Sequence, residues 1–137
     1  MTDRRCPCHS RKRYKRCCRT LHEGRPAATP VALMRSRYAA YSLGNSAYIM
    51  ATTHPDSPHF VADAAAWTEQ LDAFSAATRF KGLRILERAG GEVAGESEGW
   101  VTFRAELTQG GQDASFTERS HFEKMDGRWT YRSAEPA

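Results

Sequence analysis

The chain has 137 residues, room for one domain of ordinary size and a small appendage but not for two full domains. Apolar residues make up 40% and charged residues 26%, which excludes the disordered and fibrous classes, and no run approaches the ~18 apolar residues of a membrane span. The net charge of +4 conceals an asymmetry: residues 1–26 hold nine Lys or Arg against Asp3 and Glu23, for +7, and residues 27–137 sum to −3.

The chain opens without an apolar run that could serve as a signal peptide, so the cytoplasm is the expected compartment, with no membrane association. Residues 1–26 stand apart. Cys6, Cys8, Cys17 and Cys18 fall within 13 residues and no cysteine follows, a clustering that reads as metal binding rather than a disulfide framework. After Met1, Tyr14 and Leu21 are the only large apolar side chains of this segment, too few to bury a core without a metal or cross-link. Four thiolates suit zinc, which ligand type alone prefers over iron, and a tetrahedral sulfur site leaves no open coordination position. The expected role is therefore structural, and no catalytic residue is assigned. Zinc binding is worth roughly 10–16 kcal/mol in finger peptides, enough to fold a short segment outright. The surrounding arginines and lysines would lower the thiol pKa values and offset the negative charge of the site. Two alternatives stay open: His9 could replace Cys18 as a ligand, or the cysteines could form a reactive or disulfide-bonded cluster.

Pro26-Ala-Ala-Thr-Pro30 reads as a linker. Thr29 before Pro30 supplies a cap and a first-turn proline, and Val31, Met34, Tyr38 and Tyr41 recur at helical spacing until Gly44. A short helix is predicted from Asn45 to Thr53, stopped before His54-Pro55, and a loop follows over 55–58. Asp63 caps a third helix with Trp67, Leu71, Phe74 and Thr78 on one face. The large residues of that face are assigned to the core rather than to a binding stripe.

From residue 80 the period changes. Leu83-Ile85, Val101-Phe103, Phe116–Phe122 and Trp129-Tyr131 sit in alternating segments separated by glycine-containing turns, which predicts an antiparallel sheet of about four strands. Helices first and a meander second give an α+β fold, with helices covering one face of the sheet. Asp126-Gly127 is a strong hairpin signal and sets Met125 opposite Arg128, Lys124 beside Trp129, Phe122 beside Tyr131 and His121 beside Arg132. Alternation places Phe116, Glu118, Ser120, Phe122, Trp129 and Tyr131 on an apolar face, and Arg119, His121, Glu123, Thr130 and Arg132 on a solvated one. Glu118 is the exception on the apolar face, because an ionised buried group costs several kcal/mol unless it is paired. Either it lines a small-molecule pocket with Ser120, Tyr131, Tyr38 and His54, suited to binding or acid–base chemistry, or it makes a structural hydrogen bond or ion pair, for example to a helical arginine such as Arg37. The structural role is the favoured reading. His22 and His59 are expected at the surface.

The run Cys6-Pro-Cys-His-Ser10-Arg-Lys12-Arg-Tyr14-Lys15-Arg-Cys-Cys18 resembles the SEC-C motif, a small zinc-binding module known from the C-terminal tail of the bacterial preprotein translocase ATPase. That family usually has glycine where this chain has His9 and Arg11. Further on, Arg37-Tyr38-Ala-Ala-Tyr41, Thr53-His54-Pro55, Phe116-Thr-Glu118-Arg-Ser120-His-Phe122 and Asp126-Gly-Arg-Trp129-Thr-Tyr131 resemble the YchJ-like family of uncharacterised bacterial proteins. There a SEC-C motif precedes a nuclear-transport-factor-2-like domain. The resemblance implies a SEC-C zinc-binding segment over 1–26 and a cone-shaped half-barrel over 27–137, and it implies no activity.

Three functions follow as expectations. The preferred one is a non-enzymatic zinc-binding protein that docks on an acidic protein partner through Arg11, Lys12, Arg13, Lys15, Arg16 and Arg19. In the translocase the similar module contacts an acidic export chaperone, so the resemblance implies a protein partner. The second is RNA held through its phosphates by the same residues, without sequence specificity, since Tyr14 is the segment's one aromatic residue for stacking. The third is a small molecule bound or transformed in the half-barrel. Sheets of this fold also pair back to back, which would give a homodimer.

Overall fold

The computed structural model describes residues 4–137, so the first three residues of the expected 1–26 segment lie outside the described residues. In chain order come a 3-10 turn (Tyr14–Arg16), α1 (Cys18–His22), α2 (Pro30–Leu43), α3 (Ser46–Ala51) and α4 (Ala64–Ala77). The strands follow: β1 (Thr78–Ala89), β2 (Glu98–Gln109), the two-residue β3 (Gln112–Asp113), β4 (Phe116–Met125) and β5 (Arg128–Pro136). Thr29 and Asp63 cap their helices as expected, and Asn45, expected as the first residue of its helix, is the cap of α3. Thr29 Oγ1 accepts from the Ala32 amide at 3.1 Å, Asn45 Oδ1 from the Tyr48 amide at 3.2 Å, and Asp63 Oδ1 from the Ala66 amide at 3.1 Å. Each bond satisfies an amide that a first helical turn leaves unpaired. Gly44 ends α2 in the left-handed region at φ 73. Thr78 departs from the predicted helix face: its backbone is extended, its hydroxyl donates to Phe74 O at 2.6 Å, and it begins β1. α3 stops at Ala51 instead of Thr53, and Thr53 pairs with Tyr131 of β5 in a parallel bridge.

The sheet runs β1-β2-β4-β5, antiparallel throughout, with β3 attached to β2. The Asp126-Gly127 hairpin sets Met125 opposite Arg128, Lys124 opposite Trp129 and Phe122 opposite Tyr131, as expected. The next pair is a correction. His121 faces Ser133 rather than Arg132, because Arg132 is an extra residue in β5 and the register slips there. β1 carries two similar irregularities, at Lys81 and at Leu86. Bulges bend a strand and add local twist, and three of them curl this sheet around the helices.

α2 lies in the concave side and is buried almost all round. Leu33, Met34 and Tyr38 pack with Leu83, Val101, Phe103, Phe122 and Trp129; Ala40 joins Ile49, Trp67 and Leu71; Ala39 meets the cysteines. Its first turn is clamped by a close approach: a Cβ on Gly91 or Gly99 would come within 2.6 or 2.5 Å of the Pro30 ring. Two face assignments change. Thr130, expected in solvent, is buried and donates its hydroxyl to Glu123 O at 2.8 Å, and Phe116, expected inside, sits 37% exposed at the rim. Among the described residues no helix is long and apolar enough to cross a membrane.

Candidate metal centre and cavity

The cysteine segment folds back on itself. The Cys6 amide donates to Lys12 O at 2.8 Å and the Tyr14 amide to Arg4 O at 3.0 Å, on either side of an antiparallel bridge between Arg5 and Arg13. The His9 amide closes the first turn on Cys6 O at 3.1 Å, and the 3-10 turn carries Cys17 and Cys18 back to the first pair. All four sulfurs lie within 4.8 Å of one another. Cys8 Sγ stands 3.7 Å from Cys17 Sγ, which is 3.9 Å from Cys18 Sγ. A tetrahedron with metal–sulfur bonds of ~2.3 Å has sulfur–sulfur edges of ~3.8 Å, whereas a disulfide is ~2.05 Å long. The spacing therefore fits four ligands around one ion and not a bonded pair.

Charge makes the same point. Hydrogen bonds from Cys18 and Cys6 hold Cys8 far below the usual thiol range, while contacts with Cys6 and Cys8, together with burial, push Cys18 far above it. At Cys6 a lowering contact from Cys18 is outweighed by Cys8 and burial, which raise it to about 11. Four thiolates can coexist in this space only around a cation, and thiolates are what a soft or borderline metal ion selects. Ser10 Oγ accepts from the Lys12 amide and reaches Cys17 Sγ at 3.2 Å, a second contact that orients a ligand. His9 does not converge with the sulfurs. Its ring packs edge-on against Tyr38 at 5.7 Å. Both His9 and Arg11 hold left-handed backbones, at φ 63 and φ 73, the region that favours the glycine usual at these positions of the SEC-C motif.

The segment is riveted to α2. Arg35 Nη1 donates to Cys8 O at 3.0 Å, and Ala39 is fully buried against Cys6, Cys8 and Cys18. His22, expected at the surface, is a half-buried link: Nε2 donates to Ser36 O at 2.8 Å, so Nδ1 accepts from the Tyr14 hydroxyl at 2.7 Å. Burial pushes its pKa down. On the outer side Arg11, Lys12, Arg13, Lys15, Arg16 and Arg19 are all exposed, with Arg19 bonded to Glu23 at 2.8 Å.

Beneath α2 a cavity of about 380 Å³ opens between the helices and the concave sheet. Of the five residues expected there, Tyr38, Glu118, Ser120 and Tyr131 line it and His54 does not. The bridge to Tyr131 turns Thr53 inward, and His54, one residue on, faces the other way, with Nε2 3.5 Å from Glu123. Tyr38 spends its hydroxyl on Gly82 O at 2.9 Å, and burial raises both Tyr38 and Tyr131 to about 12. The Glu118–Arg37 ion pair, one example of the structural role expected for Glu118, is absent from the described contacts. Arg37 instead donates from Nη1 to Ile49 O, Thr52 Oγ1 and Thr53 Oγ1 at 3.1, 2.8 and 3.1 Å. Burial raises the Glu118 pKa, and His59 at the mouth pulls the other way. Trp67, Leu71 and Phe74, assigned only to the core, also form the cavity wall. Sequence reasoning missed Arg37 as a cavity residue. Its signal was available: it falls three residues after Met34 and four before Tyr41, on the stripe α2 buries.

The convex side is less open than expected. His121 stacks on Trp100 with centroids 4.8 Å apart and its Nε2 meets Glu98 at 2.8 Å, while the Arg119 guanidinium lies over the Trp100 ring at 5.2 Å.

Comparison with known proteins agrees with this architecture. Residues 29–134 match the model of the YchJ middle, NTF2-like domain. A UPF0225 protein of Deinococcus radiodurans is 40% identical, with 94% of this chain and 87% of the relative covered. A UPF0225 protein of Streptomyces coelicolor is also 40% identical, covering 95% and 94%. The solution structure of a SEC-C motif containing protein from Rhodopseudomonas palustris superposes with a TM-score of 0.79 at 37% identity, over 98% of this chain and 99% of that one. A crystal structure of a SEC-C motif containing protein from Psychrobacter arcticus, 22% identical with a TM-score of 0.76 over 94% and 80%, shares the fold.

Proposed function

The chain belongs to the YchJ-like family, and from that premise we propose that it is a non-enzymatic docking protein whose four-thiolate zinc centre presents a basic surface to an acidic protein partner. One observation carries the reading: five exposed arginines and lysines decorate the same short loop that the four sulfurs close, and Arg19 follows directly, on α1. A closed sulfur set offers a substrate no coordination position, so the ion serves shape rather than chemistry. The exposed cations would attract an acidic partner over a distance, speeding encounter more than tightening the complex, and salt would weaken it. Protein is preferred to RNA because Tyr14, the segment's one aromatic residue for stacking, has its hydroxyl on His22 and the Arg4 guanidinium over its ring, which disfavours base stacking.

The test uses the whole metal-loaded chain immobilised beside a Lys12→Glu/Arg16→Glu variant, both challenged with nuclease-treated cell extract. Acidic proteins should be retained by the wild type, released by moderate salt, and lost from the variant. If nuclease removes everything that the wild type retains, the partner is nucleic acid and the protein-docking reading is wrong.

A further inference from the structure

We propose that the half-barrel cavity is a receptor site for a small monocarboxylate with an apolar body, its carboxylate held by the buried guanidinium of Arg37. The argument begins with an unbalanced charge. Arg37 is only 7% exposed, and an arginine remains a cation in such a place because its pKa is too high to surrender the proton. A buried charge is costly unless an opposite charge meets it. The contacts described for Arg37 are with neutral groups: Ile49 O, two threonine hydroxyls, and the Tyr131 ring 4.7 Å below the guanidinium. Those hydroxyls already donate to carbonyls, Thr52 to Tyr48 O and Thr53 to Ile49 O, which leaves them as acceptors and fixes the guanidinium in place. All three of these hydrogen bonds leave from Nη1. A guanidinium has five N–H donors; beyond those of Nη1 and a contact with the Tyr41 hydroxyl, donor capacity remains for a group inside the cavity that Arg37 lines.

The cavity holds one carboxylate of its own, and it does not neutralise Arg37. Glu118 makes no described ion pair with Arg37 and is relieved by His59 at the mouth, while Tyr131 feels both the carboxylate and the guanidinium. What remains is a fixed cation in a chamber walled by Trp67, Leu71, Phe74, Phe103, Leu107 and Phe122. Chambers of this size and lining, with a few placed polar groups, are the usual form of a small-molecule site. The charge balance selects the ligand. One monoanion cancels one cation; a phosphate or dicarboxylate would bring a second negative charge into an apolar space with no cation to meet it, and near Glu118.

The full metal-loaded chain is titrated with phenylacetate and with its neutral isostere phenylacetamide, by calorimetry and by amide shift mapping. Benzoate and hexanoate vary the apolar body. At least one acid should bind saturably, phenylacetate should be preferred to the amide by about tenfold or more, and the shifts should centre on Arg37, Phe103 and Tyr131. Arg37→Gln should abolish the preference for acid over amide; because that variant could fail to fold, the acid–amide comparison in the wild type stands as the deciding measurement. Equal binding of acid and amide, shifts centred on the basic segment instead of the cavity, or no saturable binding by any of the three acids would each overturn the proposal.

Discussion

Glu118 carries its carboxyl group partly inside a chamber of aromatic rings, and the neighbour that relieves its charge is His59. Burial is the main cause of its shift, and it raises the pKa above the ordinary 4.5. The folded chain therefore holds this proton more tightly than the unfolded chain does. As pH climbs from 4.5 through the folded value, the native state gives up a proton it had favoured, and stability falls; below 4.5 both states are protonated and nothing is lost. Glu118→Gln removes that loss, so the variant should melt above the wild type near neutral pH, by a small margin because solvent screens a half-exposed group. The gap should close on acidification below 4.5. Melting curves collected by circular dichroism across this range decide it, and a gap of constant size at every pH would mean that Glu118 is not strained by burial. His22 shows the same physics with opposite chemistry: burial disfavours its cation, and the Ser36 carbonyl and Tyr14 hydroxyl select one neutral tautomer.

At the scale of elements, α2 is where the two halves of the chain meet. Ala39 has no exposed surface and touches the sulfur cluster, while residues on the other side of the same turn pack on the sheet. Ala39→Leu adds carbon where none fits, and overpacking of this kind costs about 1–3 kcal/mol. Ala73→Leu, at an exposed position of α4, should stay within about 0.5 kcal/mol. Urea midpoints measure both, and equal midpoints would mean that the segment does not pack on α2 as described. Much of this architecture was legible in the residues. Thr29-Pro30, Gly44, Asp63 and Asp126-Gly127 are local devices whose effect depends only on their neighbours in the chain, and each acts where its type predicts. The cysteine spacing likewise encodes its own closure. What could not be read depended on distant partners. The slip at Arg132 has no marker in an alternating strand, and it moved His121 from Arg132 to Ser133. His54 lost its place in the cavity to Thr53 because Thr53, just past α3, pairs with Tyr131 of β5, far along the chain. His22 is bound by Ser36, which nothing in its own surroundings announces.

For the molecule as a whole, sharing α2 couples the proposed metal centre to the stability of the half-barrel. Three of the described hydrogen bonds cross from the cysteine segment to the body: Arg35 to Cys8 O, His22 to Ser36 O, and Arg128 of β5 to Gly24 O. At about 1 kcal/mol apiece they are worth ~3 kcal/mol, and their geometry depends on a loop too poor in apolar residues to hold its shape without its ligand. Removing the metal with a chelator should therefore cost the body as well as the tail. A domain of this length moves its midpoint by about 3–5 °C for each kcal/mol, so far-ultraviolet circular dichroism should record a fall of about 10 °C, in a single transition, reversed by added zinc. Amides of α2 near Ala39 should lose hydrogen-exchange protection in step. If chelation instead disordered only residues 4–26 and left the melting of β1, β2, β4 and β5 unchanged, the segment would be a passenger on the fold, and α2 would be the wall of one core rather than the hinge between two.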